Sequence, residues 1–274
     1  MKLKQALAGG LTEQELDQLK PGHDVIGSIA ILEIDRPLRK RRHAIAKAVM
    51  QLNNHIKTVL MKQGGHTGRC RTQKMGFILG RRTKETMHTE NGARMMLDVE
   101  KVYFSPRLAT ERLRIAKQVM PGESVLVMFS GCAPYPLVLA KNTKVKEIVG
   151  VEINPAGHKY GLKNIALNKI TNITLFKGDV KKIVPKLNKN FDRVIMPLPK
   201  GGEDFLDIGI KAVKKGGILH YYDFLHEDEI PKVAIDKIRK EVKKQKKKIK
   251  ILKTVKCGSQ QPHVYRTCTD CRII

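Results

Sequence analysis

From residue 101 to about 232, short apolar runs alternate with longer segments of helical spacing. "SVLVMF" (124–129), "VKEIVGVEI" (145–153), "ITLFKGD" (173–179), "FDRVIMPL" (191–198) and "GGILHYYDF" (216–224) read as strands. "APYPLVLAKN", "PAGHKYGLKNIALNKI", "VKKIVPKL" and "GEDFLDIGIKAVK" read as the helices between them. Parallel neighbours need crossovers of that length, so the pattern predicts an α/β fold with a parallel sheet covered on both faces. The tail continues with a basic helix leading into a strand, "KVAIDKIRKEVKKQKKKIKILKTVKC", and "HVYRTCTDCRI" as a last strand. These are expected to add antiparallel strands at the sheet edge.

The first hundred residues differ in texture. "DVIGSIAILEI" reads as a strand, "RPLRKRRHAIAKAVMQL" as a helix and "HIKTVLMK" as a short strand. Residues 64–99 alternate like β-hairpins, with turn signals at Gly64-Gly65, Gly80 and Asn91-Gly92. The expected organisation is a small α+β domain over 1–100 and the α/β domain over 101–274.

Lys and Arg number 53 against 26 acids, a formal charge of +27. A polyanion is the natural partner, because each neutralised phosphate releases counterions. The alternative is a Lys-rich surface suited to a salty or hot cytoplasm. The lysine run 243–248 reads mainly as a solvated helix face, with some contribution to RNA binding. No apolar run is long enough to span a membrane, and the polar N-terminus does not resemble a signal peptide. Five cysteines suggest a reducing, cytoplasmic setting. Cys268 and Cys271 form a CxxC near Cys257, but a zinc site would need His263 as fourth ligand. Packed thiols are the preferred reading, and no metal is expected.

In a doubly wound sheet the ligand lies over the carboxyl ends of the strands. After the first strand, Phe129 is followed by Ser130, Gly131, Cys132 and Ala133, small residues that let a ligand approach the backbone. Glu152, followed by Ile153, ends the second strand and can accept from ribose hydroxyls. Asp179 follows the third and can accept from an adenine amino group, with Val180 against the ring. This order suits S-adenosylmethionine, which carries an adenosine but no phosphates. Each feature alone also has a plain reading as a tight turn or a helix cap. The fourth strand runs into "MPLPK" (196–200). A loop fixed by Pro197 and Pro199 presents carbonyls and few N–H groups, which suits a wall beside cofactor and base, with Lys200 at its end.

Several blocks together resemble the archaeal–eukaryotic tRNA (guanine-N1)-methyltransferases acting at position 37, along with their wyosine-pathway relatives. They are "KVYFSPRLATERLRIA" (101–116), "VMFSGCAPYPLVLAKN" (127–142), "GVEINPAGHKYGLKNIALNKI" (150–170), "GD" (178–179) and "RVIMPLPKGGEDFLD" (193–207). "DVIGSIAILEI" (24–34) and "TKETMHTENGARMMLDV" (83–99) resemble the family's middle domain. The resemblance runs from about residue 22.

It implies a Rossmann-like class I S-adenosylmethionine-dependent methyltransferase domain, probing the anticodon arm of tRNA as a monomer. It makes Glu111 the general base for the guanine N1 proton. Arg71, with Arg69 as neighbouring alternative, would hold guanine O6, and the flipped base would enter a pocket between the domains. Tyr103, Phe104, Ser105 and Arg107 would pack near cofactor and RNA. For Arg107 and Arg112, phosphate contact or surface pairing competes with a catalytic role. Two departures bear on substrate. Only about 22 residues precede the matching region, so the family's tRNA-gripping N-terminal domain is expected to be missing. The fourth-strand loop, usually Asn-Leu-Pro, reads Pro197-Leu198-Pro199. The alternatives are methylation of the tricyclic wyosine base, aminocarboxypropyl transfer, and an RNA-binding protein on a degenerate scaffold. The Gly-Tyr loop usual in the aminocarboxypropyl enzymes is absent here, and Glu111 is retained.

Overall fold

The computed structural model describes residues 3–20 and 22–274. They divide into two units: residues through Thr89 with Arg94–Pro106, and Glu90–Ala93 with Arg107–Ile274. The division falls at Pro106/Arg107 rather than at 100/101, and a hairpin tip goes with the second unit.

The first unit opens with helices α1 (Leu3–Leu7) and α2 (Glu13–Gln18), the latter started by a capping box between Thr12 and Glu15. Strands β1 (Asp24–Ile26) and β2 (Ile29–Leu32) follow. "DVIGSIAILEI" is therefore a hairpin and not one strand. Gly27 turns it at φ +54°, where a Cβ would lie 2.2 Å from the Met87 carbonyl oxygen. A 3-10 turn (Arg36–Arg41) leads into α3 (Arg42–Leu52), which buries Ile45, Ala46, Ala48 and Val49. Strands β3 (Thr58–Thr67) and β4 (Thr72–Gly80) complete a sheet of order β1-β2-β3-β4, and β5 (Glu85–Glu90) pairs with β6 (Ala93–Asp98). Gly64-Gly65 lies inside β3 rather than in a turn. The chain reverses instead over Gly68–Arg71, where the Arg71 N–H donates to the Gly68 carbonyl at 3.1 Å.

The second unit begins with α4 (Ala109–Ala116) and then alternates as the sequence pattern requires. The elements are β7 (Ser124–Met128), α5 (Pro134–Asn142), β8 (Glu147–Glu152), α6 (Pro155–Leu167), β9 (Ile173–Lys177), α7 (Val180–Lys186), β10 (Phe191–Met196), α8 (Leu206–Ala212) and β11 (Val213–His226). Helix α9 (Lys232–Lys244) and the strands β12 (Ile249–Gln261) and β13 (Val264–Ile273) finish the chain. The sheet order is β12-β13-β11-β10-β7-β8-β9. Strands β7 to β11 are parallel, and β13 runs antiparallel between β11 and β12, as the expected edge addition requires. The order reverses between β10 and β7, the switch point at which such sheets bind ligands.

Val194, Ile195 and Met196 of β10 are 0 % exposed, as expected of a strand covered on both faces. Helix α9 buries Ala234, Ile238 and Val242, four apart, turns Lys232, Lys240, Lys243 and Lys244 outward, and pairs the half-buried Lys237 with Asp223. The exposed Lys250, Lys253 and Lys256 lie on the edge strand β12, where charge discourages further pairing. Cys268 and Cys271 are both buried on β13. An odd separation along a strand sends their side chains to opposite faces, and His263 pairs with Glu227 instead. Among the described residues no helix is long and apolar enough to cross a membrane.

Candidate active site

Beyond β7 the backbone takes left-handed φ values at Phe129 (62°), Gly131 (57°) and Ala133 (70°). Two of these residues carry a Cβ, a strain that persists where surrounding bonds fix the loop. The Ser130 N–H donates to the Val151 carbonyl at 2.8 Å, and the Ala133 N–H to that of Ser130 at 2.9 Å. Glu152 closes the loop from the next strand. Its Oε2 accepts the Gly131 N–H at 2.5 Å and its Oε1 the Asn154 N–H at 2.7 Å. Burial raises the pKa of this carboxyl, against the opposing pull of the N–H groups.

Helix α6 can come this close because a glycine faces the loop. A Cβ on Gly157 would lie 3.2 Å from Glu152 Cγ, and one on Gly161 2.6 Å from Leu175 Cδ1. The i, i+4 spacing of these glycines was a sequence signal for the close approach, and the sequence reading missed it. Asp179 caps α7 by accepting the Lys181 N–H at 2.9 Å. Val180 is 4 % exposed within the main core, and Ile153 is half-buried. The Cys132 thiol is fully buried and its pKa is pushed up to about 12 by desolvation, so this residue offers its backbone and not its sulfur. The Ser130 hydroxyl oxygen is buried without a hydrogen-bond partner. An orphaned polar atom beside a carboxylate at the switch point fits a ligand rich in hydroxyl and amino groups, as an adenosine is.

Glu111 stands in the first turn of α4 and is 4 % exposed. Arg114 donates to it twice, Nε to Oε2 at 2.7 Å and Nη2 to Oε1 at 2.8 Å. Tyr222 on β11 donates to Oε1 at 2.5 Å and accepts from the Tyr135 hydroxyl at 2.9 Å. The loop after β10 reaches the same residue from another side. The Leu198 N–H donates to the Met196 carbonyl at 2.8 Å, closing a turn around half-buried Pro197. Pro199 is buried and Lys200 exposed. A Cβ on Gly202 would lie 3.4 Å from the Tyr222 carbonyl oxygen. Tyr222, Tyr135 and Arg114 were not found by sequence reasoning. Two tyrosines in a buried strand, "HYYDF", were the available hint, since a buried phenol needs a partner.

Arg112, expected at phosphate, at the surface or in catalysis, is instead 2 % exposed and doubly bonded to Glu90. Arg107 is exposed. In the first unit, the half-buried Arg71 places its guanidinium 5.4 Å from the centre of the Tyr103 ring, and His66 meets that ring edge-on at 5.2 Å. Arg69 is exposed. His66 is a further member of this cluster that the sequence did not suggest. Phe104 likewise packs edge-on against His88 at 5.0 Å.

A family model described as the TRM5/TYW2 methyltransferase domain matches residues 86–252, and one described as the TYW2 N-terminal domain matches residues 3–83. The likeness thus begins well before residue 22. A tRNA (guanine(37)-N(1))-methyltransferase, Trm5b of Pyrococcus abyssi, is 38% identical over 261 residues, 95% of this chain and 77% of its own length. Its crystal structure superposes with a TM-score of 0.88, covering 96% of this chain and 78% of that one at 37% identity. The tRNA (guanine(37)-N(1))/4-demethylwyosine(37)-methyltransferase Taw22 of Nanoarchaeum equitans is 32% identical over 76% of this chain and 85% of its own. The crystal structure of Methanocaldococcus jannaschii Trm5 in complex with adenosine gives a TM-score of 0.83 at 30% identity, covering 99% of this chain and 78% of that one.

Proposed function

The chain belongs to the TRM5/TYW2 methyltransferase family, and from that membership we propose that it methylates N1 of guanosine 37, beside the anticodon of tRNA. Identity to the Pyrococcus abyssi enzyme along nearly the whole chain carries this reading. The reading includes action as a monomer in the cytoplasm.

S-adenosylmethionine, when bound, supplies an electrophilic methyl group. Glu152 accepts from the ribose hydroxyls with the lone pairs that Gly131 and Asn154 leave over. Asp179 accepts from the adenine amino group. The Ser130, Gly131 and Ala133 amides are spent on Val151, Glu152 and Ser130, which fixes the loop's shape, and the unpartnered Ser130 hydroxyl is left for the ligand. Pro197 and Pro199 form a stiff wall without N–H donors beside the transferred group.

Glu111 accepts the N1 proton of guanine. Its Oε1 already takes two donors, whereas Oε2 takes only Arg114 Nε, so Oε2 keeps a lone pair for the substrate. As N1 loses its proton, negative charge develops on O6, and Arg71 offsets it. Tyr103 beneath Arg71 holds that guanidinium. Arg69, Arg107 and Lys200 meet the RNA backbone.

Pro197 favours a second reading, methylation of the tricyclic wyosine precursor on the same nucleotide. A proline offers no side-chain hydrogen bond to a guanine edge. Mass spectrometry of nucleosides separates the two. A guanosine-37 transcript incubated with the protein and S-adenosylmethionine gains one methyl if the first reading holds. A methyl gained only on a transcript already bearing the tricyclic base replaces it with the second.

A further inference from the structure

Behind Glu111 a line of buried polar groups crosses the second unit. Glu123 accepts from Arg193 Nε at 2.7 Å and Nη2 at 2.9 Å, and Arg193 Nη1 lies 2.7 Å from His220 Nε2. His220 Nδ1 lies 2.6 Å from Asp270 Oδ1. Asp270 Oδ2 accepts from Arg114 Nη1 at 2.7 Å and from Gln118 at 3.2 Å. Arg114 then forks onto Glu111.

The direction of each bond follows from chemistry. A guanidinium has only donors, so His220 Nε2 must accept. The ring proton is then on Nδ1 and is donated to Asp270, leaving a neutral imidazole. The complete burial of His220 lowers its pKa and agrees with that state. Asp270 is held by His220, Gln118 and the Cys268 thiol at 3.2 Å, and by Arg114. All three guanidinium nitrogens of Arg114 are engaged, which fixes its plane and therefore the plane of the Glu111 carboxylate.

The sheet builds this line. His220 and Asp270 are register partners across β11 and β13, and Tyr222 is opposite Cys268. Arg193 pairs with Ile218 on β11. Period-two alternation puts Arg193, His220, Tyr222, Asp270 and Cys268 on one face of the sheet. His220, Cys268 and Asp270 also bring metal-ligating atoms within 4.8 Å of one another. The two guanidiniums already supply the positive charge there, so the cluster reads as an ionic lattice and not as a cation site.

Burying several ions is costly, and an apolar filling of the same space is often as stable or more so. The arrangement also has an imbalance. Three carboxylates (Glu123, Asp270, Glu111) face two guanidiniums (Arg193, Arg114). Arg114 is not bound to Glu111 alone. Shared with Asp270, it orients Glu111 while its charge is divided.

We propose that Asp270, locked by His220, is a positioning residue for methyl transfer, acting through Arg114 to orient the Glu111 carboxylate toward the proton it removes. This rests on Glu111 being the base. The groups bonded to Glu111 are Arg114 on its own helix and Tyr222 on β11; Asp270 on β13 reaches it through Arg114, and the Tyr135 hydroxyl and the Cys268 and Cys257 thiols feel its charge.

The test is single-turnover methylation of a guanosine-37 tRNA by Asp270→Asn, Arg114→Lys and the double variant of the full chain. Each single change is expected to slow transfer about 10- to 100-fold. The KM for tRNA and the Kd for S-adenosylmethionine are expected to stay within about twofold. The double variant should be no slower than the worse single one, because both remove the same link. Losses that multiply, or a lowered melting temperature with the rate intact, would overturn the proposal. If Asp270→Asn does not fold, Arg114→Lys decides alone, since Arg114 is partly exposed (25%). An unchanged rate in that variant overturns the proposal. Glu111→Gln, run in parallel, separates the premise: activity in that variant removes the base itself, whatever Asp270 does.

Discussion

Tyr222 donates its phenolic hydrogen to Glu111 at 2.5 Å across 111 residues of sequence. One strand thereby holds the side chain assigned to proton removal, and its Tyr222 carbonyl lies close to Gly202, three residues beyond Pro199.

Glu111→Gln keeps the size of the side chain and removes its basicity. Turnover is expected to vanish while S-adenosylmethionine binding, measured by calorimetry, is spared. Retained turnover would reject Glu111 as the base.

Tyr222→Phe leaves the Tyr135 hydroxyl and Glu111 each short of one partner. A buried bond of this kind contributes about 1–2 kcal/mol, so urea unfolding should show a loss of that size. The methylation rate should fall by about tenfold, through a looser base.

Glu152→Ala deprives the Gly131 and Asn154 N–H groups of their acceptor and the ribose of its own. Cofactor affinity should fall by roughly 100-fold. The wild-type affinity should also respond to pH. Burial raises the Glu152 pKa, so on acidification this carboxylate takes its proton before an ordinary one would. Binding should weaken as the pH falls, starting above the usual glutamate range. Calorimetry across pH checks both, and the pH effect should be absent in Glu152→Ala.

Asp192 accepts from the Ser124 N–H and hydroxyl and from Lys214. Burial alone would raise its pKa, but these donors lower it to about 2. A lowered carboxyl stabilises the fold fully above its unfolded value and loses that contribution as the pH falls through about 2. Asp192→Asn should therefore melt lower than wild type at pH 7, and the gap should close toward pH 2. A gap constant with pH would remove the carboxylate from the explanation.

The net charge of +27 should make tRNA binding steeply dependent on salt. With about six phosphate contacts, Kd should rise by roughly 10³-fold between 50 and 200 mM salt. Fluorescence anisotropy measures it, and a flat response would assign the charge to solubility.

The sequence made the alternating elements of the second unit legible because their apolar periods are local. It also made Ser130–Ala133, Glu152 and Asp179 legible, since each stands at the end of a strand whose position follows from that alternation. The first unit was read less well. Gly64-Gly65 looked like a turn and lies within β3, at an irregularity where pairing with β4 shifts register between Gln63 and Thr67 and Gly64 takes a left-handed φ of 77°. Arg112 looked like a surface or site residue and is buried, because its partner Glu90 stands on a hairpin far back in the chain.

By itself the sequence determined the order of strands and helices, which residues stand at the strand ends over the switch point, and the family. The tertiary structure decided what surrounds Glu111. Arg114, His220 and Asp270 carry no local signal, and the tyrosine pair in "HYYDF" hints only that a buried phenol needs a partner, not that the partner is Glu111. Their meeting depends on the antiparallel placement of β13 beside β11 in one register, and a shift of one residue would turn Asp270 to the other face.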